Sequence, residues 1–312
     1  MKKLLLAFMV IFLIPSFAGA EIPKSTLDSL WIRASSGEIR FRDEVQPSKD
    51  ALIELGSDAV DYLVEKMDTR SAREMHTLVD LLGKIGKPAV AKVCEQLESG
   101  DNFRIVLACR ILGKIKDTSA IVYLLPHAED SLYNIRSGVA SALGEIGDAS
   151  ASATLVQLAK DSDYLVRKSA TVSLGKMPYS EAIDVLIDNL SDDYYGVRYS
   201  AATSLIKFGD KSKKALEGYI TELVNGDFSE LPSTRIFGVA LALDCLGKIG
   251  DKGFSKDIKK IIKSKNDSVI RGYAVLSLKQ IGGKSNLRFL KKIAKKEKDI
   301  FVNALLSDII NR

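Results

Sequence analysis

The sequence predicts an all-α protein, a solenoid of about seven to eight helical hairpins behind an N-terminal capping helix. Two observations carry this. A Leu-Gly pair, or its substitute, recurs at Leu82-Gly83, Leu112-Gly113, Leu143-Gly144, Leu174-Gly175, Leu205-Ile206, Leu246-Gly247 and Leu278-Lys279, with the second residues 30, 31, 31, 31, 41 and 32 apart. Self-similarity at such a period marks a repeat architecture. Within a copy, small and apolar residues then follow helical spacing. Three residues after Arg136, Arg167, Arg198 or Arg271 stand Val139, Ala170, Ala201 or Ala274. Six after stand Ala142, Ser173, Ser204 or Ser277; seven after, Leu143, Leu174, Leu205 or Leu278; ten after, Ile146, Met177, Phe208 or Ile281. The offsets 3, 6, 7 and 10 trace one face of an α-helix. Composition agrees: hydrophobic residues are 46% of the 312 and charged residues 27%, as in folded globular chains.

Residues 1–20, "MKKLLLAFMVIFLIPSFAGA", begin with Lys2 and Lys3, run apolar from Leu4 to Ile14 and end in Ala18-Gly19-Ala20. That is the layout of a secretory signal cleaved after Ala20. It implies a periplasmic or secreted protein; an uncleaved anchor is the alternative. Residues 21–50 match no repeat. "STLDSLWIRASSG" reads as an amphipathic helix with Leu27, Leu30 and Trp31 on one side. It suits a cap on the open end of a solenoid, or a helix that docks a partner. The solenoid is assigned to 51–312, with a degenerate copy ending at "LIELGSDAV", where Gly56 matches Gly86. In each copy a turn glycine (Gly147, Gly209, Gly250, Gly282) follows the last apolar residue, where helices end in a left-handed residue. A second helix follows, as in "ASATLVQLAK", with Ala151, Leu155 and Leu158 inward.

Ankyrin units would need a Thr-Pro-Leu-His start and tetratricopeptide units a Trp/Gly/Tyr first helix, and the chain has neither. "VRKSATVSLGKM" and "IRSGVASALGEIGD…ATLVQLAKDSDYLVR" resemble the short bacterial HEAT repeat, also called the phycobilin-lyase-like HEAT repeat, over roughly residues 50–312. The resemblance implies a right-handed α-α superhelix, with the second helix of each pair on the concave side. It implies little about activity, because the family holds scaffolds, regulatory domains and a few chromophore lyases. The chain departs from the pattern at Pro178, Ile206 and Lys279, and in the long copy between Gly209 and Gly247.

A constellation for catalysis is absent from the sequence pattern. His76 and His127 are the only histidines, neither at metal-ligand spacing from another His or Cys. The HEAT-like hydroxylases use His-Glu pairs for iron, and the chain has no such pair. "GGKS" at 282–285 lacks the first glycine of a phosphate loop, since Leu278 stands there. No cofactor or metal is expected, and the chain is read as a non-enzyme. Cys94, Cys109 and Cys245 are an odd count that excludes a complete disulfide framework. Each sits in a helical apolar pattern, where a free thiol is a small buried hydrophobe; a Cys94–Cys109 bridge is the alternative.

What remains points to binding. Asp130, Asp161 and Asp192 each precede an arginine (Arg136, Arg167, Arg198) by six residues, which reads as a ladder bridging neighbouring hairpins rather than an anion-binding row. Tyr133, Tyr164 and Tyr195 share one position in successive copies, a row that either binds a partner or packs over the joints. The long copy adds "VNGDFSELPSTR" at Val224–Arg235, a functional loop or a longer second helix. Charge is polarised: Gly247–Arg312 has 17 Lys and Arg against 6 Asp and Glu, whereas Glu21–Leu246 has a net charge of −8. Lys256, Lys259, Lys260 and Lys263, and one repeat on Arg288, Lys291, Lys292 and Lys295, form one stripe on each of two second helices. The stripe marks the chain as a non-catalytic scaffold of the bacterial envelope that binds a protein or an anionic polymer; a solvated lysine face is the plain alternative. Nucleic acid is disfavoured outside the cytoplasm. A lyase-like enzyme and a salt-sensitive, self-assembling structural protein are the other two readings.

Overall fold

The computed structural model describes residues 22–177, 179–224, 231–265 and 267–311. Residues 1–20, read above as a signal, Pro178 and residues 225–230 of the insertion lie outside the described residues. Helix α1 (Lys24–Ser35) precedes the hairpins. Their first and second helices are α2 (Val45–Glu54) and α3 (Val60–Glu65), α4 (Ala72–Ile85) and α5 (Val90–Glu95), α6 (Asn102–Ile115) and α7 (Ile121–Leu124), and α8 (Tyr133–Ile146) and α9 (Ser152–Leu158). Next come α10 (Tyr164–Leu174) and α11 (Ser180–Asp188), α12 (Tyr195–Phe208) and α13 (Asp210–Val224), α14 (Ser233–Ile249) and α15 (Ser255–Lys263), and α16 (Ser268–Ile281) and α17 (Lys284–Ala294). α18 (Ile300–Asn311) ends the series, and no strand occurs among the described residues. The all-α hairpin repeat is therefore observed. Because α2 starts at Val45, the first hairpin draws its opening residues from the segment read as cap.

The chain divides into two compact units, one ending at Ala151 and the other starting at Ser152. In the first, α1 packs on α2 and buries Leu27, Leu30 and Trp31. Tyr62 donates a hydrogen bond to Asp28 at 2.6 Å, and Lys66 reaches the same carboxylate at 3.3 Å, tying the cap to the first hairpin. First helices then stack in order, α4 on α6 and α6 on α8. The second unit repeats the scheme, with α10 on α12, α12 on α14 and α14 on α16.

The Leu-Gly pair now has a physical reason. The leucines Leu143, Leu174, Leu205 and Leu278 are fully buried. The glycine lets the next first helix approach: a Cβ on Gly113 would lie 3.0 Å from the Ala142 Cα, and one on Gly247 would lie 2.8 Å from the Ser277 Cα. Small residues six places after the arginine complete that contact. All four turn glycines have positive φ, but only Gly147 and Gly250 are left-handed helical, at φ 75° and 79°; Gly209 and Gly282, at φ 57° and 74°, have ψ −126° and −164° and leave the helix extended. Lys116 takes the same place after α6 at φ 62°, the one non-glycine residue with positive φ among the described residues. In the next copy but one that register holds Pro178, whose ring forbids positive φ, and α10 ends at Leu174.

Cys94, Cys109 and Cys245 are free and buried. Burial pushes their thiols up to about 11, 12 and 12.

Candidate interaction surfaces

The lysine stripe lies in the second unit, on α15 and α17. On α15, Ile258, Ile261 and Ile262 are buried together with Phe254 just before it. Lys256, Lys260 and Lys263 are exposed and Lys259 is half-buried. One repeat on, Arg288, Lys291, Lys292 and Lys295 are exposed and Leu290 is buried. Phe289 joins the two helices: the Lys259 and Lys263 ammonium groups stand 5.7 and 5.3 Å from its ring centre. Their stems thus cover an apolar ring while the charges stay in water. Leu287, expected inward, is 44% exposed. Of the eight cations, Lys260 alone reaches a carboxylate among the described residues, Asp257 at 2.7 Å.

Between α13 and the turn before α15 sits a pair of carboxyls that the repeat pattern did not reveal. Asp251 is 5% exposed; its Oδ1 accepts the Gly253 amide at 2.9 Å and its Oδ2 has no hydrogen-bond partner. Burial, and then the neighbouring Asp251, push the Glu217 carboxyl up to about 7.

The Asp–Arg ladder is built as read at Arg167. Its Nε and Nη2 donate to the two Asp192 carboxylate oxygens at 2.6 and 3.0 Å. Its Nη1 donates to the carbonyls of Asp161 and Ser162, at 2.9 and 3.0 Å. Arg136 uses Nη1 in the same way on Asp130 and Ser131, and Arg198 on Asp192 and Asp193. Arg271 serves the last copy by pairing with Glu297. Each of these aspartates also shapes its turn, as Asp192 Oδ1 does by accepting the Tyr194 amide at 2.8 Å.

The tyrosines open three first helices and all face water: Tyr133 at 47%, Tyr164 at 41% and Tyr195 at 63% exposure. Tyr133 belongs to the first unit. In the second, Tyr164 pairs with Tyr194, ring centres 4.2 Å apart, and Tyr195 stacks on Tyr199 at 6.1 Å. Tyr199 and Phe237 enlarge this aromatic edge. Sequence reasoning missed both, because neither falls on the tyrosine register of the repeat.

The remaining candidates are quiet. His76 is exposed on α4. The His127 Nε2 lies 3.3 Å from Glu98. No group of three or more His, Cys, Asp or Glu among the described residues could hold a metal ion. No described helix is long and apolar enough to cross a membrane. At the insertion, α13 runs 15 residues against 9 in α11 and α15, so part of the added length is helix.

Three overlapping stretches, residues 104–175, 127–207 and 152–223, match the family model for HEAT repeats. No curated protein matches the chain. Among solved structures, YibA of Escherichia coli is similar at TM-score 0.50 and 18% identity, covering 85% of this chain and 95% of that one. The complex of CpcE and CpcF of phycocyanin lyase from Nostoc aligns at TM-score 0.34 and 17% identity over 96% of this chain and 98% of that one. Human deoxyhypusine hydroxylase aligns at TM-score 0.37 and 15% identity, covering 83% and 96%. At 18% identity the likeness to YibA is one of fold.

Proposed function

We propose that this chain is a non-catalytic interaction scaffold that docks an acidic protein through the lysine face of α15 and α17. The observation that carries this reading is the face itself: eight cations in register on two successive second helices, seven of them without a carboxylate partner among the described residues. Like charges held together in this way repel, and an anionic partner relieves that cost. The signal-like layout of residues 1–20 supports a setting in the bacterial envelope, periplasmic or secreted. Reversing Lys259, Lys260, Lys291 and Lys292 to glutamate tests the face. The folded quadruple variant should lose capture of acidic envelope proteins, and wild-type capture should weaken steeply with salt, since the screening length is about 8 Å at physiological strength. Retained capture by the folded variant at low salt sinks the reading. Export is tested separately by the mass of the native protein, which should begin at Glu21.

A second reading has its own observation. The −8 front and the basic end are complementary, which suits head-to-tail self-association. Sedimentation of the purified chain across a salt series separates the two: a dimer that dissolves with salt favours self-assembly.

A further inference from the structure

The turn between α14 and α15 departs from the way the repeat supplies its turn aspartate with donors. In two earlier turns a serine two residues on does this. Asp117 accepts the Ser119 amide and hydroxyl at 2.9 and 2.6 Å, and Asp148 accepts those of Ser150 at 2.9 and 2.7 Å. These hydrogen bonds hold both carboxyls below the usual carboxylate range. Asp251 follows Gly250 as Asp148 follows Gly147, but Gly253 stands where the serine would be. The amide contact survives at 2.9 Å, and the hydroxyl is gone.

The lost donor matters because Asp251 is buried, at 5% exposure. Its Oδ2 is sealed from water and has no hydrogen-bond partner. An ionised oxygen left in this way costs free energy. The side chain that meets it is half-buried Glu217 of α13, within hydrogen-bonding reach of the Asp251 carboxyl. A carboxylate only accepts, whereas a carboxylic acid also donates. The two groups therefore repel when both are ionised and hydrogen-bond when they hold one proton between them. Burial first, then Asp251, then Asp257 in the first turn of α15, favour the protonated form of Glu217. Lys213, one turn before it on α13, opposes them while bonded to Asp210 at 2.6 Å. Of the other helices packed on α13, α14 carries Lys248, paired with Asp244 at 2.7 Å; α12 carries exposed Lys207; and α11 carries Asp188, which acts on Tyr219.

We propose that Glu217 and Asp251 share one proton and that this proton latches residues 250–254 onto α13. The latch closes in acid and loosens as rising pH removes the proton. The closed turn keeps the proton up to about pH 7, whereas with the turn swung clear Glu217 releases it near an ordinary 4.5. The latch is therefore at full strength below about pH 4.5, weakens from there to about pH 7, and levels off above. Buried Phe254 closes the turn and α15 starts one residue later, so the latch sets how firmly the start of that lysine-bearing helix is held. It stands on these residues whatever the lysine face binds.

Hydrogen exchange at the Gly253 amide, which donates to Asp251, reads the latch directly. It is followed by NMR in the full chain and corrected for base-catalysed exchange. Protection should be about fivefold higher at pH 5 than at pH 7.5, the share of the linkage left to a half-buried group. The Leu165 amide, held by Asp163 elsewhere in the same unit, is the internal control and should keep the same protection at both pH values. Glu217→Gln keeps a donor at every pH and should hold Gly253 equally protected at pH 5 and 7.5. Asp251→Asn supplies the donor from the other side and should do the same. Millimolar calcium, the probe for a cation in the place of the proton, should leave protection at pH 7.5 unchanged. Equal wild-type protection at the two pH values, a fall that persists in Glu217→Gln, an equal fall at Leu165, or protection restored by calcium at pH 7.5 would each overturn the proposal.

Discussion

Glu217 keeps its proton to about pH 7, against an ordinary value of 4.5, so it reverses the usual carboxylate contribution to acid stability. Burial is the first cause; buried Asp251 and then Asp257 add negative charge beside it, and Lys213, itself paired with Asp210, offsets them only in part. Between pH 4.5 and 7 the folded chain holds a proton here that the unfolded chain has released. Stability therefore falls as pH rises through that window. Glu217→Gln should flatten this part of a melting-temperature profile and stabilise the chain at pH 8 by about 1 kcal/mol, a figure discounted for the solvent that reaches a half-buried group. A profile that keeps the same slope in the variant would locate the titration elsewhere. Gly147 offers a second test at this scale. No heavy atom lies within 4 Å of a Cβ built there, so a side chain meets only backbone strain at φ 75°. Gly147→Val should cost about 1–3 kcal/mol and Gly147→Asn less, since asparagine tolerates the left-handed region. Equal melting temperatures for the two would remove the strain argument.

Helix ends are where the repeat holds its shape. Asp163 caps α10 by accepting the Leu165 amide at 2.8 Å, and Asp101 caps α6 through the Phe103 and Arg104 amides. Asp163→Ala should lower stability by about 1 kcal/mol, read by denaturant unfolding. Much of this was legible in the sequence, because the same helix face, turn glycine and second helix return every 30 to 32 residues and each copy supports the reading of the next. Burial of Val139, Ala170, Ala201 and Ala274 follows from that period alone. The cap helix was readable from Leu27, Leu30 and Trp31 without any repeat, by amphipathic spacing. The lysine stripe was readable too, since i, i+3, i+4 and i+7 put its members on one side of a helix. What stayed hidden depends on two copies at once. The Phe237 ring reaches Arg198 across a joint, from a position that holds Gly196 in the copy before, so no single-copy register flags it. The Glu217–Asp251 pair likewise joins the end of one copy to the turn of the next. Pro178 stood out as a departure from the pattern, but neither the end of α10 at Leu174 nor the length of α13 was read from the period.

Contacts in such a chain run mainly between neighbouring hairpins, so cohesion is shared along its length rather than gathered in one core. The two compact units are the coarsest expression of this. Each carries buried thiols, Cys94 and Cys109 in the first and Cys245 in the second, all free, with Cys109 and Cys245 both raised to about 12. Raised by burial from an ordinary value of 9 to about 12, these thiols hold about a thousandfold less reactive thiolate than an exposed cysteine. While the hairpins stay closed, neither sulfur is a nucleophile of any consequence. Alkylation then becomes a clock for opening. With iodoacetamide in excess, the rate at which each cysteine acquires its adduct, followed by peptide mass, measures how often its own stretch of hairpins comes apart. Two unequal rates from one sample would read two local stabilities without a single mutation. The same protection has a chemical consequence: against an oxidant these thiols stay reduced for as long as the fold stays shut, and damage to them would record past unfolding.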